Sequence, residues 1–460
     1  MLIRTPVLRL VSFVLAGALI AAACGADGDE GADVEVGGAA ASDDSAEGVD
    51  DGADAAGADA EAADAAELVS PTENDAPFDL AGGATTPAEV ELLDLGDEPR
   101  SQLRDQVASA TEPWPTDWTR STVDLSELLA GIPRTDPRDA IPPIDTPRFE
   151  PIAAADWLDE NEPGALVQLD GEVRFYALSI LTRHEIVNDR FGDVPVAVTF
   201  CPLCNTAISF DRRLDGEVLR LGVSGLLRNS DLVMWDDATT TLWQQVTGDA
   251  IVGTHAGVRL ETVPTAIVSY GDAAADFPDA LSLSRETGFG IDYGANPYVG
   301  YSSSEVPFLF DGEPDPRFPA LSRVVGVSID VDDGERLEKA YPFATLEAER
   351  AVNDEVGSIP VAVFWGGATT DALDANLIAQ SDAIGSAIAY DRRVGDQVLT
   401  FAHVGDDRFV DAETGTTWSL LGVAVDGPLA GEQLDIVTHR NEFWFAWAAF
   451  FPEAPVYGAR

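Results

Sequence analysis

Ala207-Ile208-Ser209-Phe210-Asp211-Arg212-Arg213 returns later in the chain as Ala387-Ile388-Ala389-Tyr390-Asp391-Arg392-Arg393. The neighbours repeat in the same order. Pro147-Arg148-Phe149 pairs with Pro316-Arg317-Phe318. Gly171-Glu172 and Tyr176 pair with Gly334-Glu335 and Tyr341, and Val187-Asn188-Asp189 with Val352-Asn353-Asp354. Pro195-Val196-Ala197-Val198 pairs with Pro360-Val361-Ala362-Val363, Thr241-Leu242-Trp243 with Thr416-Thr417-Trp418, and Pro278-Asp279-Ala280 with Pro452-Glu453-Ala454. A self-similarity of this kind decides the fold before any single element does. It implies a tandem duplication, one copy over 145–287 and a second, degenerate one over 314–460, with a Tyr/Gly/Pro-rich connection over 288–313.

Each copy reads as β. Asn188 to Asp193 is turn-forming between two apolar runs, which suggests a hairpin. Glu217 to Leu221 and Gln397 to Phe401 alternate, and Asp215-Gly216 and Gly395-Asp396 provide tight turns before them. Helices are expected to be short and few, Phe443 to Phe450 being the best candidate. The expected class is mainly β, at most α+β, as two β-rich lobes sharing an interface. An entry segment over 100–144 is proline-rich, and Leu103 to Leu129 suggests one or two short helices.

The first 99 residues are of another kind. Arg4 and Arg9 precede an apolar run from Val11 to Ile20, too short to span a bilayer comfortably, and then Ala21-Ala22-Ala23-Cys24. This resembles a lipoprotein signal over 1–23, which implies a lipid on Cys24 and an extracytoplasmic protein held to the membrane by that lipid. From Gly25 to Pro99 there is no Lys, Arg or His and little apolar bulk. Such a stretch cannot bury enough surface to offset chain entropy, so 24–99 is expected to be a disordered acidic tether. The net charge of -54, with Lys339 the one lysine, excludes nucleic acid as a partner because like charges repel.

The duplication also acts as an internal control. A feature of both copies is most simply a demand of the fold, and one confined to a single copy is a candidate for chemistry. Asp211-Arg212 and Asp391-Arg392 occur in both and read as strand-end ion pairs or turn caps. Three features belong to the first copy. The cysteines of Cys201-Pro202-Leu203-Cys204 have no counterpart in the stretch after Val363, which reads Phe364-Trp365-Gly366-Gly367, His184 falls opposite Glu349, and the loop Ser224 to Asp231 is about five residues longer.

Proline at the second position of Cys-Pro-Leu-Cys presets a turn that brings the cysteines together. Three readings stand: a structural disulfide, a redox-active pair, or a soft-metal site for zinc or copper. A disulfide closing so small a loop stabilises by only about 2 kcal/mol. As a metal site, Cys201 and Cys204 need further ligands, and His184 and His255 are the histidines considered. A hairpin centred near Phe191 places Cys201 opposite Leu181, which leaves His184 about 10 Å away. Ser224, Arg228, Asn229, Ser230 and Asp231 form the polar cluster expected near the cysteines. Ser224 also sits in a Gly-x-Ser-x-Leu imitation of a nucleophile elbow, with leucine where glycine is needed. Tyr293, Asn296 and Tyr298 belong to a segment with no second-copy counterpart. It reads either as a turn-rich crossover or as a loop that binds a protein or glycan partner.

Several of these motifs together resemble a bacterial family, domain of unknown function 3179. They are His184 to Asp189, Cys201 to Ala207, Gly222 to Met234, Leu242-Trp243-Gln244-Gln245, Asp292-Tyr293-Gly294 and Asn296-Pro297-Tyr298. The resemblance covers about 130–460 and implies a family without implying a reaction.

Overall fold

The computed structural model describes residues 90–331 and 336–459, together with Leu68 and residues 82–84. The signal, Cys24 and most of the acidic stretch lie outside the described residues.

The repeated motif sits in the middle of each lobe. In the first, Val194–Cys201 pairs antiparallel with Ile186–Phe191 on one side and Thr206–Asp211 on the other. The strand is covered on both faces, so its sequence is a continuous apolar run and does not alternate. In the second, Ile359–Gly366 lies between Ala351–Val356 and Ser386–Asp391 in the same way. A second sheet places Pro163–Leu169 between Glu172–Ala177 and Thr265–Ser269. Its counterpart has Arg323–Asp330 between Arg336–Pro342 and His439–Phe443. The third is a meander, Leu221–Arg228, Asp231–Asp236, Leu242–Gln244 and Ala250–Val252. It is matched by Phe401–Gly405, Arg408–Asp411, Thr417–Trp418 and Ala424–Asp426. The helices repeat too: Leu178–His184 with Phe343–Glu349, and Tyr270–Asp276 with Trp444–Phe450. The fold is mainly β, as the sequence implies.

The side chains that recur are those that hold the frame. Asp236 accepts from Thr239 N at 2.6 Å, Thr241 N at 3.1 Å and Trp243 Nε1 at 3.0 Å. Asp411 accepts from Thr414 N at 2.5 Å, Thr416 N at 3.1 Å and Trp418 Nε1 at 2.9 Å. Asn188 brackets Leu221 through both its backbone N–H and C=O, and Asn353 does the same for Phe401. The Asp-Arg-Arg motif is structural in both lobes, with one correction. Asp211 and Asp391 pair with the second arginine, Arg213 and Arg393. The first arginine turns inward, Arg212 to the carbonyls of Leu219 and Asp189, and Arg392 to those of Leu399 and Asp354.

Leu103 to Leu129 carries the short helices expected of it, Asp105–Ala110 and the 3-10 turn Leu125–Glu127. Pro113 and Pro115 flank Trp114 and lack the N–H a helix would use, so Trp114 and Trp118 are buried from irregular backbone. The hairpin turn falls at Gly192-Asp193 rather than at Phe191, so Ile186 faces Thr199 and the register moves by three residues.

The lobes share a core. Phe200, Cys204 and Val268 belong to the same buried cluster as Phe364, Ile388 and Phe443. Across the junction, Phe443 N donates to the carbonyl of Cys204 at 2.9 Å. Leu128–Ala130 of the entry segment adds an edge strand to the first-lobe meander by pairing with Leu221–Arg228. Among the described residues no helix is long and apolar enough to cross a membrane.

Candidate metal centre

Cys201 ends its strand and pairs with Thr206, so Pro202 to Asn205 form the connecting turn. Asn205 N donates to Pro202 O at 3.2 Å, and Asn205 takes a left-handed φ of 56°. Cys201 and Cys204 are both buried free thiols. Burial pushes both thiols up from their ordinary range, Cys204 furthest.

The hairpin tip Asn229-Ser230 faces them, with consecutive φ values of 52° and 66°. Two left-handed residues in a row are what the favoured two-residue hairpin turn demands. The turn aims the Ser230 carbonyl at the sulfurs, which donate to it at 3.5 Å from Cys204 and 3.9 Å from Cys201. It also brings in Asp231: one of its carboxylate oxygens and both sulfurs lie within 4.8 Å of one another. Asp231 is held in place by Gln244 Nε2 at 2.6 Å and Val246 N at 3.0 Å, both donating to Oδ2. Its Oδ1 is buried without a hydrogen-bond partner. Burial pushes the Asp231 carboxyl up to about 6.

Glu185 lies close enough to Asp231 and Cys201 for their charges to interact. It is the left-handed residue, φ 58°, that ends the helix Leu178–His184. Its carbonyl accepts from Phe200 N at 2.8 Å, which ties it beside Cys201. Its buried side chain accepts one long hydrogen bond, 3.5 Å from the Tyr298 hydroxyl. Burial and then the Asp231 charge push it up to about 8. The surrounding bases are engaged elsewhere. Arg228 pairs with Glu127 at 2.6 Å, Arg440 with Glu442 and Glu338 at 3.2 Å each, and Arg183 donates to the Ala295 carbonyl at 3.1 Å.

The second lobe shows what the same place looks like when neutralised. Arg350 stands at the helix end that Glu185 occupies, also left-handed at φ 65°. Trp365 N donates to the Arg350 carbonyl at 2.9 Å, as Phe200 does to that of Glu185. Gly366 stands where Cys201 does. The shorter hairpin ends in Asp407, which pairs with Arg350 at 2.7 Å and accepts from Gly367 N at 2.8 Å. A Cβ at Gly366 would lie 2.4 Å from Asp407 Oδ1, so the aspartate takes the place a side chain fills in the first lobe.

The remaining sequence candidates fall into three groups. His184 stands outside the group of Cys201, Cys204 and Asp231. By the corrected register it lies opposite Cys201, but the chain has already turned into helix there. Its Nδ1–H donates to Pro142 O at 2.7 Å, so its Nε2 accepts from the Tyr293 hydroxyl at 2.6 Å. Neither nitrogen has a lone pair left for an ion. His255 stacks on Trp243 and stays outside the cluster. Ser224 is also outside it: its hydroxyl binds the Val233 carbonyl and accepts from Leu226 N at 3.0 Å at a strand bulge. Arg228 reaches the site only through Gln244, donating to Oε1 at 3.4 Å. The 293–301 loop crosses between the lobes and packs beside the cysteine turn. Asn296 donates to the second-lobe Ala375 carbonyl at 2.9 Å, Tyr298 covers Glu185, and the Tyr301 hydroxyl donates to Leu203 O at 2.9 Å. Sequence reasoning missed Glu185. The sign of it was one residue beyond the compared pair His184 and Glu349, where an acid faces a base.

A cavity of about 570 Å³ opens over Cys201, Glu185 and Tyr298. Its walls are apolar, among them Ile132, Ile141, Val223, Leu226, Leu227 and Phe308.

A family model described as "Protein of unknown function (DUF3179)" matches residues 138–454. The chain belongs to the DUF3179 family. The match takes in both lobes, and with them the cluster of Glu185, Cys201, Cys204 and Asp231 as well as the Arg350–Asp407 pair. No curated protein and no solved structure matches the chain.

Proposed function

We propose that this DUF3179 protein is a lipid-anchored extracytoplasmic binding protein whose first lobe holds a divalent cation, with Cys201, Cys204 and Asp231 as ligands and Glu185 within reach. One observation carries the reading. Two carboxyls, Asp231 and Glu185, lie with the Cys201 and Cys204 thiols in the core of the first lobe, and among the described residues no base pairs with them, where the second lobe has an arginine. Uncompensated acids cost free energy to bury, and one cation removes that cost for all of them. The donor set favours zinc. Two thiolates suit zinc or copper(I), whereas a carboxylate as third ligand suits the harder ion. Three protein ligands leave a fourth position on the cavity side, filled by Glu185 or by a molecule from outside. Gln244 and Val246 orient Asp231, as outer hydrogen bonds usually do for a ligand.

Thiol–disulfide chemistry is the weaker alternative. The thiolate is the reactive form, and burial among acids disfavours it unless an ion compensates. Lipid on Cys24 would hold the lobes to the membrane surface, with the acidic stretch as spacer.

The test is metal analysis of residues 25–460 exported behind a cleavable signal, set beside Cys201→Ser, Cys204→Ser and Asp231→Asn. The expected result is about one equivalent of zinc in the wild type, none in the cysteine variants and a weaker hold in Asp231→Asn. Wild-type protein that stays empty in excess zinc or copper would end the metal reading.

A further inference from the structure

The cavity over the cluster runs from the surface to the core. Val306 and Val299 at its rim are 69% and 48% exposed, and Cys201 at its floor is 2% exposed. Its volume of about 570 Å³ lies within the ~300–1,000 Å³ usual for small-molecule sites. The exposed valines continue the apolar lining out to solvent, and an apolar occupant would cover both.

The lining narrows the class of occupant. Among the described residues no lysine, arginine or histidine lines the cavity, so a carboxylate or phosphate head would enter without a counter-charge. A chain of net charge -54 also repels such a molecule on approach. The cavity's polar side chains are Glu185, Cys201, Tyr298, Tyr301 and Ser304, of which Glu185 and Cys201 are buried. The wall is fixed in place. Ser230 Oγ donates to the Phe308 carbonyl at 2.5 Å, and Leu309 holds a left-handed φ of 52° beside it. The Tyr301 hydroxyl, bonded to Leu203 O, accepts from Phe308 N at 3.4 Å. One short network therefore joins the cavity wall, the cysteine turn and the hairpin that carries Asp231.

We propose that this cavity binds an uncharged lipophilic small molecule with a single oxygen-bearing head, an alcohol or a carbonyl compound, the head lying against Glu185, Cys201 and Tyr298. The metal reading bears on what the head meets there, since it leaves a fourth ligand position on this side. The apolar shaft stands without it.

The probe is N-phenyl-1-naphthylamine, an uncharged fluorophore, titrated into residues 25–460, with 1-decanol, decanoate and decylamine as competitors. Ion content is measured on the same samples. The expected result is one saturable site, emptied by decanol at a concentration at least tenfold below that needed of decanoate or decylamine. Val306→Asp at the exposed rim and Leu227→Trp in the wall should each weaken the probe tenfold or more with circular dichroism unchanged. The proposal is overturned by a probe that does not saturate, by decanoate or decylamine competing as well as decanol, or by a folded Val306→Asp that binds like the wild type. Protein that holds an ion but no probe sinks the cavity proposal alone. Protein that holds probe but no ion sinks the metal reading alone.

Discussion

The two lobes are built from the same strands, the same seven-residue helices and the same aspartate–tryptophan clasp. They differ most at one point. Where the second lobe sets Arg350 against Asp407, the first sets Glu185, two thiols and Asp231 against one another. A scaffold that folds with an ion pair there does not need buried acids there. The acids are therefore best explained by something the first lobe binds, and the second lobe is its neutralised counterpart.

The comparison can be broken most directly by moving the base across. Glu185→Arg should form in the first lobe the pair that Arg350 and Asp407 form in the second. It should abolish ion binding, a loss of more than about 100-fold, while the metal-free protein folds at least as well as the wild type. Retained ion binding, by metal titration, would separate Glu185 from the site. A second test uses pH. Glu185 at about 8 and Asp231 at about 6 both stand above the ordinary carboxylate range because they are buried. The unfolded chain releases their protons near pH 4, so the folded metal-free form binds more protons between pH 4 and 8. The stability these two carboxyls contribute is full below about pH 4 and is lost as pH rises through 6 and 8. Thermal melts of the metal-free protein should thus fall over that span, and added zinc should flatten the fall. A metal-free melt that rises from pH 5 to 8 would contradict the assignment.

Smaller effects sharpen the same contrast. Gln244→Leu removes the donor that orients Asp231 and should weaken ion affinity about tenfold with little change in the fold. Phe409 and Trp418 of the second lobe have no such role, and substitutions there should leave ion affinity unchanged. The shared clasps should behave alike. Asp236→Asn and Asp411→Asn each weaken an aspartate that accepts from two threonines and a tryptophan, and each should cost about 1–3 kcal/mol by denaturant melts. Costs that differ by more than about 2 kcal/mol would mean the lobes are less equivalent than their hydrogen bonds.

The sequence carries the β class and the duplication because both rest on long apolar runs and repeated motifs. It also marks Cys201, Cys204 and Asp231. Their assembly is harder to read, because it depends on register. A turn placed at Phe191 rather than at Gly192-Asp193 shifts every cross-strand neighbour by three, enough to hide that Glu185 lies beside Cys201. The choice between histidine and carboxylate depends on where a helix ends, and a single left-handed residue, Glu185, makes that choice. Arg212 and Arg213 could not be told apart for a similar reason: Arg212 is the link between the strand ending at Asp211 and the one beginning at Arg213, and only the geometry of that link says which arginine faces Asp211. The cavity is assembled from the entry segment, the first-lobe meander and the 293–309 crossover, distant in sequence, and has no local signature.

The central claim is that a cation completes the first lobe. It is tested most directly by native mass spectrometry of residues 25–460, prepared without reductant and compared with its denatured, alkylated form. A mass excess of one zinc that disappears on denaturation, with two cysteines then open to alkylation, is the predicted result. A chain two hydrogens light that takes up neither ion nor alkylating agent would contradict it, and would make Cys201 and Cys204 a disulfide.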